Sequence, residues 1–340
     1  MSSSNLPDFE SNSVGHETEN LSISVVVPVY NSEKSLPELV LRLEPILSGL
    51  TNRFELILVN DGSRDQSKKV IEKLTMNHRW IKGISLLRNY GQHNALLCGI
   101  REAKYKFIVT MDDDLQHPPE EIIKLVNKIQ TGYDVVFGTP AQEKHGFWRD
   151  LASQITKLAL QSTMGVESAR SVSPFRIFRS KVRESFSSYQ GPFPNIDVLL
   201  TWGTTRFNAV PVQYESRLVG KSNYNFRKLI AHAMNMITGF SVLPLQIASI
   251  IGFIFTLFGL GVLGYVLTRF ILQEGKVPVP GFTFMASVIA IFSGAQLFAL
   301  GIMGEYLARI HFRMMDRPTY AIESIYNFQD SHDSQDETSK

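Results

Sequence analysis

Three aspartates stand in a row at Asp112, Asp113 and Asp114, inside the stretch MDDDLQHPPE at the end of the apolar run KFIVT. Adjacent carboxylates repel, and two accounts remove the repulsion. In one, the stretch is a solvated turn before a helix, because Pro118 and Pro119 suit a helix start and Glu120 and Glu121 suit its first turn. In the other, a divalent cation turns repulsion into attraction, since Mg²⁺ or Mn²⁺ takes one or two carboxylates together with substrate phosphate oxygens. Alternate residues of an extended segment face one side, so Asp112 and Asp114 could share an ion while Asp113 turns away.

Other chemistry-bearing residues read more plainly. His93, His117 and His145 are not at metal-ligand spacing with one another and read as loop or surface histidines. The single cysteine, Cys98 in ALLCGI, leaves no intramolecular disulfide and no cysteine cluster for zinc, and reads as a small buried residue. No G-x-G-x-x-G follows the first apolar run and no P-loop occurs, so a dinucleotide oxidoreductase and a P-loop NTPase both lose support. The net charge of +2 gives no hint of a nucleic-acid partner.

The elements that must position the aspartates lie in residues 21–139. SISVVVPVY, FELILVN, IKGISLL, KFIVTMD and DVVFG are β-branched runs of the kind buried on both faces. Between them EKSLPELVLRLEPIL, SKKVIEKLTM, GQHNALLCGIREA and PEEIIKLVNKIQ have helical spacing. This alternation predicts an α/β fold, a parallel sheet with helices on both sides, whose ligands sit beyond the carboxyl ends of the strands. PVYNSE, NDGSRD, RNYGQH and DDDLQ all fall at that edge.

Two further runs, Ser241 to Thr268 and Val277 to Gly304, contain no Asp, Glu, Lys, Arg or His. Each exceeds the ~20 residues a helix needs to cross a bilayer core, so a two-helix transmembrane hairpin over 241–308 is expected, with spans near 241–268 and 281–305. Arg227, Lys228 and His232 before the first run and Arg309, His311, Arg313 and Arg317 after the second place both flanks in the cytoplasm. FRKLIAHAMNMITGF, residues 226–240, carries an apolar stripe that either packs on the protein's own domain or lies in the membrane interface. Glu305 most simply pairs with Arg309 four residues on. Residues 1–20 are polar, have no signal-peptide core and read as disordered; segment 309–340 reads as cytoplasmic with a disordered acidic tail.

VVVPVYN, LVNDGS, RNYGQH, the D-x-D-L-Q-x-P-P-E stretch at 112–120, GKSNY at 220–224 and GEYLARI at 304–310 together resemble the family 2 glycosyltransferases that load a sugar onto a polyprenyl phosphate. The pattern is nearest to the bacterial undecaprenyl-phosphate glucosyl- and aminoarabinose transferases and more distant from the dolichol-phosphate mannose synthases. The resemblance covers roughly residues 21–320. It implies a GT-A, Rossmann-like catalytic domain over 21–225, an inner-membrane location with that domain in the cytoplasm, and an oligomer, tetramers being known among relatives. Val27, Pro28, Tyr30 and Asp61 would hold the nucleoside of a sugar nucleotide, UDP-linked for preference, with Asp113 beside them. Asp112 and Asp114 would bind Mg²⁺ or Mn²⁺ against its diphosphate, Asp114 acting in catalysis. Arg88 and Gln116 would contact donor phosphate or sugar, and Arg217, Lys221 and Ser222 would hold phosphate near the membrane. Against these, Tyr30 would also cap a strand, Asp61 would also shape a turn, and Arg217 and Lys221 would also serve as solvated loop charges.

One departure stands out. Many relatives carry an acidic residue, often cast as the base, before a Phe-Arg pair; here Ser173 and Pro174 precede Phe175 and Arg176. Asp197, in the apolar FPNIDVLLTWG, is the expected substitute base, unless it forms a salt bridge to Arg176 or Arg206. A base is also dispensable, because a phosphate monoester with a second pKa of about 6 is largely a dianion at neutral pH. The departure leaves one other reading, a membrane scaffold or sensor that keeps the fold.

Overall fold

A computed structural model describes residues 21–140, 172–191, 194–215, 243–272, 282–315 and 318–328. The expected juxtamembrane helix at 226–240 lies outside the described residues.

The predicted alternation is present. β1 (Ile23–Val29), β2 (Phe54–Asn60), β3 (Ile81–Leu86), β4 (Phe107–Thr110) and β5 (Val135–Pro140) are joined through α1 (Leu36–Leu50), α2 (Ser67–Asn77), α3 (Gln92–Glu102) and α4 (Ile122–Ile129), the last entered by a 3₁₀ turn at Pro119–Glu121. β1 is buried at every position, as its unbroken ISVVVPV run requires. Side chains alternate across the sheet. Val25, Val27, Leu56 and Leu58 pack with Leu36, Leu39, Leu43 and Leu47 of α1, whereas Val26, Ile57, Val59 and Ile84 pack with Ala95, Leu96 and Ile100 of α3.

The sheet is mixed, which corrects the parallel expectation. Beyond β5 come β6 (Arg176–Arg179), α5 (Ser180–Glu184), α6 (Ile196–Thr201), β7 (Phe207–Val212), α7 (Leu243–Leu272), α8 (Phe282–Met314) and β8 (Ile322–Tyr326). The order is β7-β5-β6-β4-β1-β2-β3-β8, with β6 antiparallel to β4 and β5, and β8 antiparallel to β3. The short β6 and the edge strand β8 carry too few residues to announce themselves as strands. β8 lies in segment 309–340, where 322–326 returns to the sheet.

α7 and α8 meet at Phe255 and Phe292, whose ring centroids are 5.6 Å apart. Among the described residues, the window Ile291–Ala308 in α8 is long and apolar enough to cross a membrane; the shorter apolar stretch Ala248–Gly259 lies in α7. By this criterion one span of the expected pair is supported.

Candidate active site

Pro28 shows where the sheet opens. Its ring removes a ladder donor from a central strand. The β1–β4 ladder, however, ends at Val26 and Thr110, and the Met111 N–H closes on Val26 O at 3.3 Å. Residue 28 has the same parity as 26, so its missing N–H falls on the β4 side, where the strands have already parted. β2 follows β1 on one side and β4 lies on the other, which makes this the switch point of the topology. Tyr30, 44% exposed, and the D-x-D loop rim the crevice.

The three aspartates have separate partners. Asp112 Oδ1 accepts from Gln92 Nε2 at 2.7 Å, at the start of α3. Asp114 Oδ1 accepts the Gln116 N–H at 3.1 Å, a bond within its own turn. Asp113 Oδ2 accepts the Tyr30 N–H at 3.3 Å and the Ser32 hydroxyl, tying the D-x-D loop to the loop after β1. Burial pushes the Asp113 carboxyl up to about 6, against the lowering by Ser32 and Tyr30. The next residue, Leu115, is buried with φ 59°, a left-handed conformation that a branched side chain rarely adopts; the fold holds the loop there.

Asp61 is buried at the end of β2 and accepts the Tyr90 N–H at 2.7 Å and the Gly91 N–H at 2.9 Å. Burial raises its pKa and those two bonds lower it. The NDGS and RNYGQH loops are therefore fixed to each other. They approach so closely that a Cβ on Gly62 would lie 2.5 Å from the carbonyl carbon of Arg88 and the nitrogen of Asn89, and Gly62 has φ +64°. Arg88 is exposed, with its guanidinium 4.7 Å from the Tyr90 ring centre. On the other side the Gln116 carbonyl accepts the Glu215 N–H at 2.9 Å.

Arg176, 1% exposed, starts β6 beneath this edge. Its Nε donates to Thr110 Oγ1 at 3.1 Å and its Nη1 to Asp197. Of the two arginines considered for Asp197, Arg176 takes it; Arg206 instead grips Asp134 at 2.8 and 2.9 Å. His117 corrects the surface reading: it is 6% exposed and stacks on Phe175 at 5.2 Å, and burial holds its pKa down. Cys98 is buried as expected. Arg217, Lys221 and Ser222 lie outside the described residues, as does His145.

Val27, Pro28, Tyr30, Asp61, Arg88, Asp112, Asp113, Asp114 and Gln116 thus share one edge of the sheet. Sequence reasoning missed Ser32 and Gln92, which hold two of the aspartates; Gln92 lies within the RNYGQH motif. Among the described residues no three His, Cys, Asp or Glu side chains cluster to form a complete metal cage. The donor set, two carboxylates partly open to solvent on one short loop, fits an ion that draws its other ligands from water and substrate phosphate.

Comparison with known proteins gives a consistent result. The model of glycosyl transferase family 2 matches residues 24–186. An undecaprenyl-phosphate 4-deoxy-4-formamido-L-arabinose transferase of Photorhabdus laumondii is 34% identical over 318 residues, covering 93% of this chain and 97% of that protein. The protein of the same name from Pseudomonas savastanoi pv. phaseolicola is 32% identical over 304 residues, covering 89% and 90%. Among solved structures, glucosyl-3-phosphoglycerate synthase of Mycobacterium tuberculosis, in complex with Mn²⁺, UDP-glucose and phosphoglyceric acid, aligns with a TM-score of 0.50. It is 17% identical, and the match covers 64% of this chain and 77% of that one.

Proposed function

Because the chain belongs to glycosyltransferase family 2, among the enzymes that act on a polyprenyl phosphate, we propose that it moves a sugar from a nucleotide-sugar, UDP-linked for preference, to undecaprenyl phosphate at the cytoplasmic membrane face. The product is a lipid-linked monosaccharide for cell-envelope glycans. The observation that carries this reading is the convergence of the PVYNSE, NDGSRD, RNYGQH and DDDLQ loops on one edge, next to an open switch point.

Each residue has a task in this reading. Tyr30 and Asp61 flank the nucleoside, and Asp113 holds the Tyr30 backbone at the mouth of the crevice. Asp112 and Asp114 would hold Mg²⁺ or Mn²⁺, which supplies positive charge to a diphosphate leaving group. Gln92 and the Gln116 N–H keep those carboxylates oriented. Arg88 offers its exposed guanidinium to phosphate, and Arg217, Lys221 and Ser222 are assigned to the acceptor. A phosphate oxygen of the lipid attacks the anomeric carbon as the bond from that carbon to the diphosphate oxygen breaks, with inversion and release of nucleoside diphosphate. The acceptor dianion attacks without a protein base, while Asp197 serves Arg176. Alignment and fixed charge supply the catalysis. α7 and α8 are assigned to the membrane.

The test is a turnover screen of the purified protein with Mg²⁺ or Mn²⁺, undecaprenyl phosphate and a panel of UDP-, GDP- and dTDP-sugars. Lipid-dependent release of nucleoside diphosphate from one donor supports the reading and names the sugar. No turnover with any donor, in membranes and in detergent, would sink it in favour of a scaffold.

A further inference from the structure

The described chain leaves its catalytic sheet after β7 and rejoins it at β8, and both of these strand ends lie at the D-x-D edge. β7 is parallel to β5 and so ends at the carboxyl edge, where the chain continues to Glu215 against Gln116. β8 is antiparallel to β3 and so begins at the same edge, where the Leu87 N–H donates to Ala321 O at 3.0 Å, one residue before Arg88. β7 and β8 are the two outermost strands of the eight. At a spacing of ~4.8 Å per strand these two strand ends stand about 34 Å apart, on either side of the aspartates.

The return to the sheet is short and firmly seated. Thr319 is 6% exposed, and Tyr320 packs its ring under the Arg101 guanidinium, with its hydroxyl 3.4 Å from Nη1. Lys68 pairs with Glu323 at 2.9 Å, and Arg79 lies 4.8 Å from the Phe328 ring centre. From the end of α8 at Met314 to Thr319 is five residues, at most about 18 Å of extended chain. Ile322 and Ile325, 36% and 39% exposed, add little to the core. A strand whose two isoleucines stay exposed, yet which is pinned at both ends through Tyr320 and Tyr326, is suited to a tether.

We propose that Thr319–Tyr326 is a clasp that holds the D-x-D edge at the bilayer surface, so that the site meets a phosphate carried on a membrane lipid rather than one free in solution. The lipid-phosphate acceptor rests on the function proposed above; the held orientation does not.

The experiment uses the full chain in phosphatidylglycerol/phosphatidylcholine vesicles, comparing wild type, Ser324→Pro and Ser324→Thr. Ser324 lies opposite Ser85, whose parity with Leu87 turns it towards β8, so proline at 324 removes a ladder donor, whereas threonine keeps it. One readout is energy transfer from a dye on Asn89→Cys, an exposed site, to headgroup-labelled lipid; buried Cys98 stays unlabelled. The other is sugar transfer to undecaprenyl phosphate in the vesicles and to a short, water-soluble isoprenyl phosphate. Ser324→Pro is expected to lower the energy transfer and to cut vesicle turnover by about tenfold or more, with turnover on the soluble acceptor within about twofold, and Ser324→Thr to match wild type. Unchanged energy transfer in Ser324→Pro, or equal loss on both acceptors, overturns the clasp. Lowered energy transfer in a protein whose wild type transfers to neither acceptor upholds the clasp and removes the proposed function.

Discussion

Arg176 and Asp197 form an ion pair beneath the D-x-D edge, their side chains 1% and 14% exposed. The arginine also reaches Thr110, the last residue of β4, so the pair ties α6 to the strand that carries the aspartates. Removing one partner of a buried pair leaves the other uncompensated. Arg176→Met is expected to cost about 3–5 kcal/mol in a denaturant titration. Asp197→Asn keeps an acceptor for Arg176 and is expected to cost less. It should leave kcat within about tenfold of wild type, whereas loss of a true base would cost 10²–10⁴-fold.

The outer aspartates and the middle one are expected to separate. Asp112→Asn and Asp114→Asn should each lower transfer by about 10²-fold or more with the melting temperature kept. Chelation should stop the wild type reversibly, read as nucleoside diphosphate released before and after Mn²⁺ is restored. Asp113→Ala strips the partner from the Tyr30 N–H and the Ser32 hydroxyl, and its main effect should be a raised KM for the donor.

Gly62 stands where two loops touch. A methyl group there meets backbone atoms that cannot swing aside and sits on a left-handed φ. Gly62→Ala is expected to destabilise the protein by about 1–3 kcal/mol and to weaken donor binding by spreading the NDGS and RNYGQH loops. Differential scanning and equilibrium binding of the nucleotide check the two effects. An unchanged melting temperature would contradict the packing argument.

The Asp134 carboxylate is held below the usual carboxylate range, first by its bonds to Arg206, against a smaller burial cost, with Thr204 and Arg179 assisting. A depressed folded-state pKa contributes stability that is present above about pH 4, the unfolded value, and lost as pH falls through the folded one. Wild type should therefore exceed Asp134→Asn in denaturant midpoint at pH 7, and the gap should close towards pH 3. High salt should narrow it too, because Arg206 is mostly exposed.

The strands and helices through residue 139 were legible because each has one period throughout: unbroken apolar runs for strands buried on both faces, and helical stripes such as Leu36, Leu39, Leu43 and Leu47. β6 and β8 were not legible. Four residues of RIFR and the half-exposed IESIY carry no periodic signal, and their strand character comes from the neighbours that supply their hydrogen bonds. His117 was misplaced for a related reason: its burial comes from Phe175 and Tyr214, which lie far along the chain.

By itself the sequence determined the family, the α/β alternation, the loops that carry the chemistry and the position of the apolar runs, because these depend on residue type and short spacing. Tertiary structure decided the partners: Asp113 on Tyr30 and Ser32, Asp61 on Tyr90 and Gly91, Asp197 on Arg176, and Ala321 beside Leu87. Each of these joins residues at least 21 positions apart, as in the Arg176–Asp197 pair. A carboxylate accepts from any donor brought near it, so its choice is made by the sheet order that sets which loops meet.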